Sequence, residues 1–462
     1  MSRSLAHRWQ VLQPDDRGLV LGLLAGVPLL VWWLGFYPGF LSSDSIDQWG
    51  QVLRFDISNH HPAFHTWLMW LATRGWTSPG AVTLVQVAAM AAVLAVGARR
   101  LVQLGAGPRA AAGVVVAIAA LPAVSTTTIA LWKDIPFTIA LVWAFTELLG
   151  YAARPESWPR LAPAVRLGAA LCLVWLLRHN GFITVVIIAG IVVWRLRRER
   201  RPLLGFVGTL VAGIGAVNLV LYPLIVVDRS AIDPAMVFVP DVAASFVHEP
   251  QNFSAEEVGY LASIAPLEVW RSDYDCHDST PLVFNPEFEA EVVLADPGRF
   301  RHLVIATYLR DPDTVLGHRW CASSYLVVPW QIGSTYFHRP PYEVPENEYG
   351  LVRQPVSDRA HAVTDRVFRW AGEPAHLWLT WRPGLVVWAG VVALVIAMQR
   401  RQAQGLALPV ALIAVHMMNV AVSSPLQEFR FAFPIYLMSL LLVGSVFARL
   451  SAGSGNDVSL SE

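Results

Sequence analysis

Lysine is nearly missing from this sequence: among 34 Lys and Arg residues, Lys133 is the only lysine. Charge of any kind is scarce, at 15% of 462 residues, where soluble domains carry about 25%. The charges that exist cancel to a net of zero. That excludes a generally basic nucleic-acid binder, so no nucleic-acid partner is expected. Three cysteines are too few for a disulfide scaffold. Internal repeats are absent, and low complexity is confined to the tail SAGSGNDVSLSE, which reads as disordered. The N-terminal MSRSLAHRWQVLQPDDRG has no small-residue cleavage site before a short apolar core. The first apolar run is therefore read as a retained span, not as a signal peptide.

What is abundant is apolar sequence, 55% of the chain, with a mean hydropathy of +0.47. Runs able to cross a hydrocarbon core of ~30 Å recur throughout. The pattern predicts an all-α polytopic membrane protein with about ten transmembrane helices. They lie near 18–36, 80–98, 110–124, 135–152, 165–177, 181–196, 203–223, 384–399, 406–423 and 431–448. If these alternate, the arginines of the N-terminus (Arg3, Arg8, Arg17) share one side with Arg99/Arg100/Arg109, Arg154/Arg160/Arg166, the run RLRRERR and Arg400/Arg401. By the positive-inside rule that side is cytoplasmic, and both termini lie there.

The opposite side then receives segments 37–79, 125–134, 178–180, 224–383 and 424–430. The expected organisation is an N-terminal membrane module, 1–223, with about seven spans. An extracytoplasmic domain, 224–383, follows, then a C-terminal module of about three spans, 384–450, and the tail 451–462. The first outer loop, 37–79, includes a stretch too short and polar-edged to span, whose Trp67, Trp70 and Trp76 suit an interfacial helix. The outer domain reads as mostly helical, with helices expected at 255–263 and across 286–310. Cys276 and Cys321 both fall there, in a compartment that permits disulfides, and are expected to pair. Cys172 lies inside a span and reads as a small core residue.

Polar residues that a membrane protein does not need for spanning gather in five short clusters. In SSDSIDQWGQ, Asp44 and Asp47 are three apart and share a helical face. Ser43 is expected to cap that helix, in which case Asp47 is only a solvated acid of a loose capping box. Asp44, directly after the first span, is placed to act as a general base or to bind a metal. The element NHHP supplies His60 and His61, as helix-start ornaments or as phosphate ligands and orienters of the aspartate. LWKDIP puts Lys133 and Asp134 at the outer end of the fourth span, as a local anchoring pair or as a cation for a lipid phosphate. LLRHNGF interrupts a long apolar run with Arg178, His179 and Asn180. An arginine at that depth is costly unless paired, although a snorkelling hairpin residue is the plain alternative. SSPLQEFRFAFP places Glu428 and Arg430 where the last span begins. All five clusters map to one membrane face by a topology derived from arginine positions alone.

With SSDSIDQWGQ, the HHP element, LWKDIPF, LRHNGF and EFRFAFP in this order, the chain resembles a bacterial member of the GT-C superfamily of membrane glycosyltransferases. The Asp-Glu pair of some branches is here Asp44-Ser45. The resemblance implies a donor sugar on a polyprenyl phosphate, an extracytoplasmic glycan, lipid or protein acceptor, and residence in the bacterial cytoplasmic membrane. It implies Asp44 as the catalytic residue with Asp47 assisting, and Lys133, Arg178 and Arg430 neutralising the departing phosphate. His60, His61, Asp134, His179, Asn180 and Glu428 complete the expected substrate-binding set. A divalent cation on Asp44 and Asp47 is left open, and no other cofactor is expected.

Two other classes fit parts of this pattern. A transporter or flippase for lipid-linked substrates also uses intramembrane charge, but no repeat symmetry is present. An O-antigen polymerase or ligase also has many spans and a large outer loop, but would carry its Arg and His there instead of acids after the first span. A non-catalytic partner in envelope assembly is the remaining alternative.

Overall fold

A computed structural model describes residues 12–456 apart from 158, 159, 229–233, 332 and 334. Arg3, Arg8 and tail residues 457–462 lie outside the described residues. In chain order the membrane region contains α1 (Pro14–Gly35), α2 (Ser43–Arg54), β1 (Ile57–Ser58), α3 (Ala63–Ala72), α4 (Pro79–Gln103), α5 (Pro108–Ala120) and α6 (Pro122–Thr128). It continues with α7 (Asp134–Ala153), α8 (Leu161–Leu177), α9 (Gly181–Leu196), α10 (Arg200–Ile225) and β2 (Val226–Asp228). The segment expected on the outer side carries α11 (Val239–His248), α12 (Ala255–Ile264), α13 (Leu267–Ser272), α14 (Ala290–Ala295), α15 (Pro297–Arg310), α16 (Pro312–Ser323) and α17 (Asp358–Ala371). α18 (Pro383–Gln399), α19 (Ala407–Ser423) and α20 (Phe429–Asn456) complete the chain.

The chain is a multi-pass membrane protein. Helices occupy all ten apolar segments. Five of them, α1, α4, α7, α10 and α20, are long and apolar enough to cross a membrane. α5 and α6 form a sixth candidate, bent by 69° at Leu121–Pro122. Pro122 lacks the N–H that would continue the ladder and forces extended geometry on Leu121, so the expected third span breaks there. α8, α9, α18 and α19 are shorter apolar helices.

Small residues let the helices approach closely, as membrane packing requires. A Cβ added to Gly22 of α1 would lie 2.8 Å from the Ala95 Cα of α4. The only paired strands among the described residues are β1 and β2, which run parallel with Ile57 opposite Val226 and tie the first outer loop to the end of α10. α3 buries one face, with Ala63, Phe64, His65, Thr66 and Met69, and turns Trp67, Trp70 and Leu71 to its more exposed side.

The outer segment has its own core, built on Val242, Phe246, Tyr260, Leu261, Trp270, Phe300 and neighbours. The helical stretch expected across 286–310, punctuated by Pro, is α14 and α15: Pro297 opens the second and Asp296 caps it through the Arg299 N–H. Cys276 and Cys321 form a disulfide with a Cα separation of 5.8 Å, closing a loop of 45 residues. A loop of that length contributes about 3–4 kcal/mol. The double variant Cys276→Ser/Cys321→Ser is therefore expected to melt at a lower temperature than the parent, and reductant should lower the parent to match. Equal melting with and without reductant would count against the bridge.

Candidate functional site

The site is assembled by the turn after α1. Gly39 has φ +115, and a Cβ there would run into the Ile129 carbonyl. Only glycine can make this turn, and it lets Phe40 pair in parallel with Ala130. The Phe40 N–H donates to Ile129 O (3.1 Å) and the Leu131 N–H to Phe40 O (2.9 Å). Gln86 of α4 fastens the same strand from behind, its Nε2 donating to Thr128 O (3.0 Å) and Ala130 O (2.8 Å). The first outer loop and the LWKD segment are thereby laid side by side.

Ser42, not Ser43, caps α2. Its backbone is extended, whereas Ser43 is already helical, and Ser45 rather than Asp47 completes the capping box. Ser45 Oγ also donates to Leu131 O (2.8 Å), and the Trp132 indole N–H to Ser42 Oγ (3.0 Å). Asp44 thus stands in the first turn of α2, where the helix dipole favours a carboxylate, with its side chain 40% exposed.

Two cations converge on one oxygen of Asp44. Lys133 Nζ lies 3.7 Å and Arg430 Nη1 3.5 Å from Asp44 Oδ2. Lys133 also donates to His61 Nδ1 (3.0 Å), which leaves the His61 proton on Nε2, 3.8 Å from Asp47 Oδ2. Arg430 Nε donates to Glu428 Oε2 (2.7 Å), and its guanidinium lies 5.3 Å from the Trp132 ring centre and 5.1 Å from that of Phe431. Arg178 is bound to Asp134, which is 1% exposed, and packs against Phe431 at 4.9 Å and Phe137 at 5.6 Å. Asp134 Oδ2 keeps no hydrogen-bond partner among the described residues.

The remaining predicted residues divide. Asp47 faces outward, accepts from Gln51 Nε2 (2.9 Å), and is 54% exposed. His60 packs edge-on against His61, with ring centres 5.1 Å apart. His179 bonds to the backbone of Asn59 and His60 and lines a pocket of about 180 Å³ with Asn59, Trp175, Phe182, Asn218 and Tyr222. Asn180 is a brace, donating to Ser423 Oγ (2.7 Å) and accepting from Asn419 Nδ2 at its carbonyl (3.0 Å).

Burial alone would raise the Asp44 carboxyl, but Lys133, Arg430 and His61 outweigh it and hold it below the usual carboxylate value. Burial, then Lys133, push His61 down to about 4, so the imidazole is neutral at pH 7. Burial likewise lowers Lys133 and raises Glu428. A divalent cation does not fit Asp44 and Asp47. The oxygen of Asp44 that faces inward already has two cationic neighbours, and Asp47 is turned to Gln51. Among the described residues one group of three side chains has ligand spacing, Cys276, His277 and Cys321, and its sulfurs form the disulfide.

Residues 425–428, which carry Glu428 and lead into Arg430, are held as an extended strip between two parts of the outer segment. Ser279 N–H donates to Pro425 O (3.0 Å), Gln427 N–H to His277 O (2.8 Å), and Phe337 N–H to Gln427 O (2.9 Å). Gln427 Nε2 donates to Cys321 O (2.8 Å). Gln427, Trp132 and Phe431 were not among the residues expected to matter. Trp132 and Phe431 adjoin predicted residues in LWKDIP and EFRF, and aromatic neighbours of isolated cations are the signal that points to them.

Comparison with known proteins gives limited matches. A family of unknown function, DUF6020, matches residues 58–283. No curated protein matches. Among solved structures, the archaeal oligosaccharyltransferase AglB from Archaeoglobus fulgidus, in complex with an inhibitory peptide and a dolichol-phosphate, is similar with a TM-score of 0.42 and 14% identity. The similarity covers 97% of this chain and 52% of that one, so the chain spans about half of its length.

Proposed function

We propose that this chain is a membrane glycosyltransferase of the GT-C type that moves a sugar from a polyprenyl-phosphate donor to an acceptor hydroxyl. In this reading all ten apolar helices cross the bacterial cytoplasmic membrane, both termini are cytoplasmic, and segment 224–383 offers the acceptor from outside. The observation that carries the reading is a partly exposed carboxylate, Asp44, in the first turn of the helix that follows the first span and between Lys133 and Arg430.

Asp44 takes the proton of the acceptor hydroxyl. The acceptor oxygen forms a bond to the anomeric carbon as the bond from that carbon to the phosphate oxygen breaks. Negative charge then grows on the lipid phosphate, and Lys133 and Arg430 lie where it would arrive. Three cations (Lys133, Arg178, Arg430) face three acids (Asp44, Asp134, Glu428). Glu428, raised by burial, can take up a proton as the phosphate enters and free Arg430 for it. His61 fixes the Lys133 ammonium without adding charge.

The test supplies purified chain in nanodiscs with polyprenyl-phosphate sugars and acceptor glycans, and follows release of the polyprenyl phosphate. Acceptor-dependent release is expected. Movement of intact donor across the bilayer without release would replace this reading with the flippase. The pH profile adds a second check. Asp44 and His61 both keep their neutral-pH protonation states between about pH 5 and about pH 8. Turnover is therefore expected to lose activity on the acid side only as pH falls through about 4, where His61 gains a proton. An acid limb centred at about 6.5, the value of a free histidine, would contradict the buried, neutral His61.

A further inference from the structure

The ends of α4, α7 and α8 remote from Asp44 line a half-open cavity of about 510 Å³. Its lining on α7 runs from Trp143 to Tyr151, 10 to 18 residues past Lys133, so the cavity lies roughly 15–27 Å from Lys133 at 1.5 Å per residue. Its charged lining is Arg99 and Arg100 of α4, Glu147 of α7, Arg154 and Arg160 in the α7–α8 connection, and Arg166 of α8.

Glu147 is 3% exposed and is fully engaged by two of these arginines. Arg100 Nη2 donates to its Oε2 (3.1 Å), while Arg166 Nε and Nη2 donate to Oε1 and Oε2 (3.0 and 3.2 Å). A buried acid thus fixes two guanidinium groups against the space. Asp15 approaches Arg99 at 3.6 Å and Arg154 at 3.3 Å, and Asp16 approaches Arg99 at 3.3 Å. Arg160 has no ion-pair partner among the described residues. Five arginines therefore face three carboxylates, a surplus of two positive charges around one half-open cavity.

Arginines that serve only to orient a membrane protein fan out toward headgroups and water. Here Arg100, 12% exposed, and Arg166 are held side by side on Glu147, and Arg99, Arg154 and Arg160 line the more exposed side of the same cavity. The volume is that of a small-ligand site, and guanidinium forks match phosphate oxygens. We propose that this cavity binds a phosphate group, carried either by an anionic phospholipid of the adjacent leaflet or by a soluble phosphate compound. The inference does not depend on the transferase reading, since no residue is shared with the Asp44 cluster.

The experiment uses the full chain in phosphatidylcholine nanodiscs at constant ionic strength. One arm adds phosphatidylglycerol to the bilayer and counts retained lipid by native mass spectrometry. The other adds sodium pyrophosphate and follows the melting temperature. Saturable binding in the first arm alone identifies a lipid headgroup, in the second alone a soluble phosphate, and in both a site that accepts either. In each case Arg154→Gln/Arg160→Gln should weaken binding by about tenfold, the loss expected for a charged hydrogen-bonded contact. The melting temperature without ligand should hold, because both side chains are exposed. Should the double variant melt early, Arg160→Gln alone decides, having no pair to break. No saturable binding in either arm, or binding unchanged by Arg160→Gln, overturns the proposal.

Discussion

Asp44→Asn is expected to lower sugar transfer by about 10²- to 10⁴-fold, the contribution of a positioned base, while the protein remains folded. The amide keeps the shape of the carboxylate and removes only its charge and basicity. Ser42 and Ser45 still cap α2, since Asp44 takes no part in that box. Neither cation is stranded: Arg430 retains Glu428, and Lys133 retains His61. The contacts of Asp44 with the two cations, at 3.5 and 3.7 Å, are long, and its side chain is 40% exposed. Their loss should cost at most about 1 kcal/mol, as for exposed pairs. Turnover in nanodiscs and a melting curve on the same preparation check both halves. Asp47→Asn is the control, with an expected change of less than about threefold, because that carboxylate faces Gln51 and solvent. Near-parental turnover in Asp44→Asn would remove the transferase assignment.

Arg178→Leu is expected to destabilise the fold by about 3–5 kcal/mol, the cost of leaving a buried charge without its partner. Asp134 is 1% exposed, and its second oxygen already has no hydrogen-bond partner among the described residues. Adding Asp134→Leu should restore the melting temperature, because replacing both members of a buried pair by apolar side chains is close to neutral. Turnover separates the two roles of Arg178. If it steadies a lipid phosphate, the double variant folds but stays inactive, which is the expected result. If its task ends at Asp134, activity returns with the fold.

Much of this arrangement is legible in the sequence, for a specific reason. Isolated charges in apolar surroundings are conspicuous, and the arginine distribution orders them on one face without knowledge of any contact. Hence Asp44, His61, Lys133, Arg178 and Arg430 could be named before their distances were known. What is illegible is of two kinds. Local choices between equivalent residues are one: Ser42 and Ser43 are both good caps, and contacts of Ser42 with Trp132 and of Ser45 with Leu131 go with the choice of Ser42. Long-range pairing is the other. The bridge from Phe40 to Ala130, the bond from Trp132 to Ser42 and the strip at 425–428 join segments 90 or more residues apart, and nothing in their local patterns announces the partner. Pro122 does signal a break, yet hydropathy carries across it, and so the bent span 110–124 reads as continuous, whereas the polar Asp296–Arg299 turn marks the break at Pro297.

The strip at 425–428 has a consequence for how such a chain could be recombined. Its backbone belongs to the membrane part in sequence but is stitched on both edges to residues 277–279 and 337. An outer segment transplanted from a relative with a cut at 383 would bring its own two edges and meet a foreign strip between them. Glu428 and Arg430 would then sit wherever the mismatched hydrogen bonds left them. A working chimera should need to import 425–428 together with the segment that clasps it, so the natural unit of exchange is discontinuous in the chain.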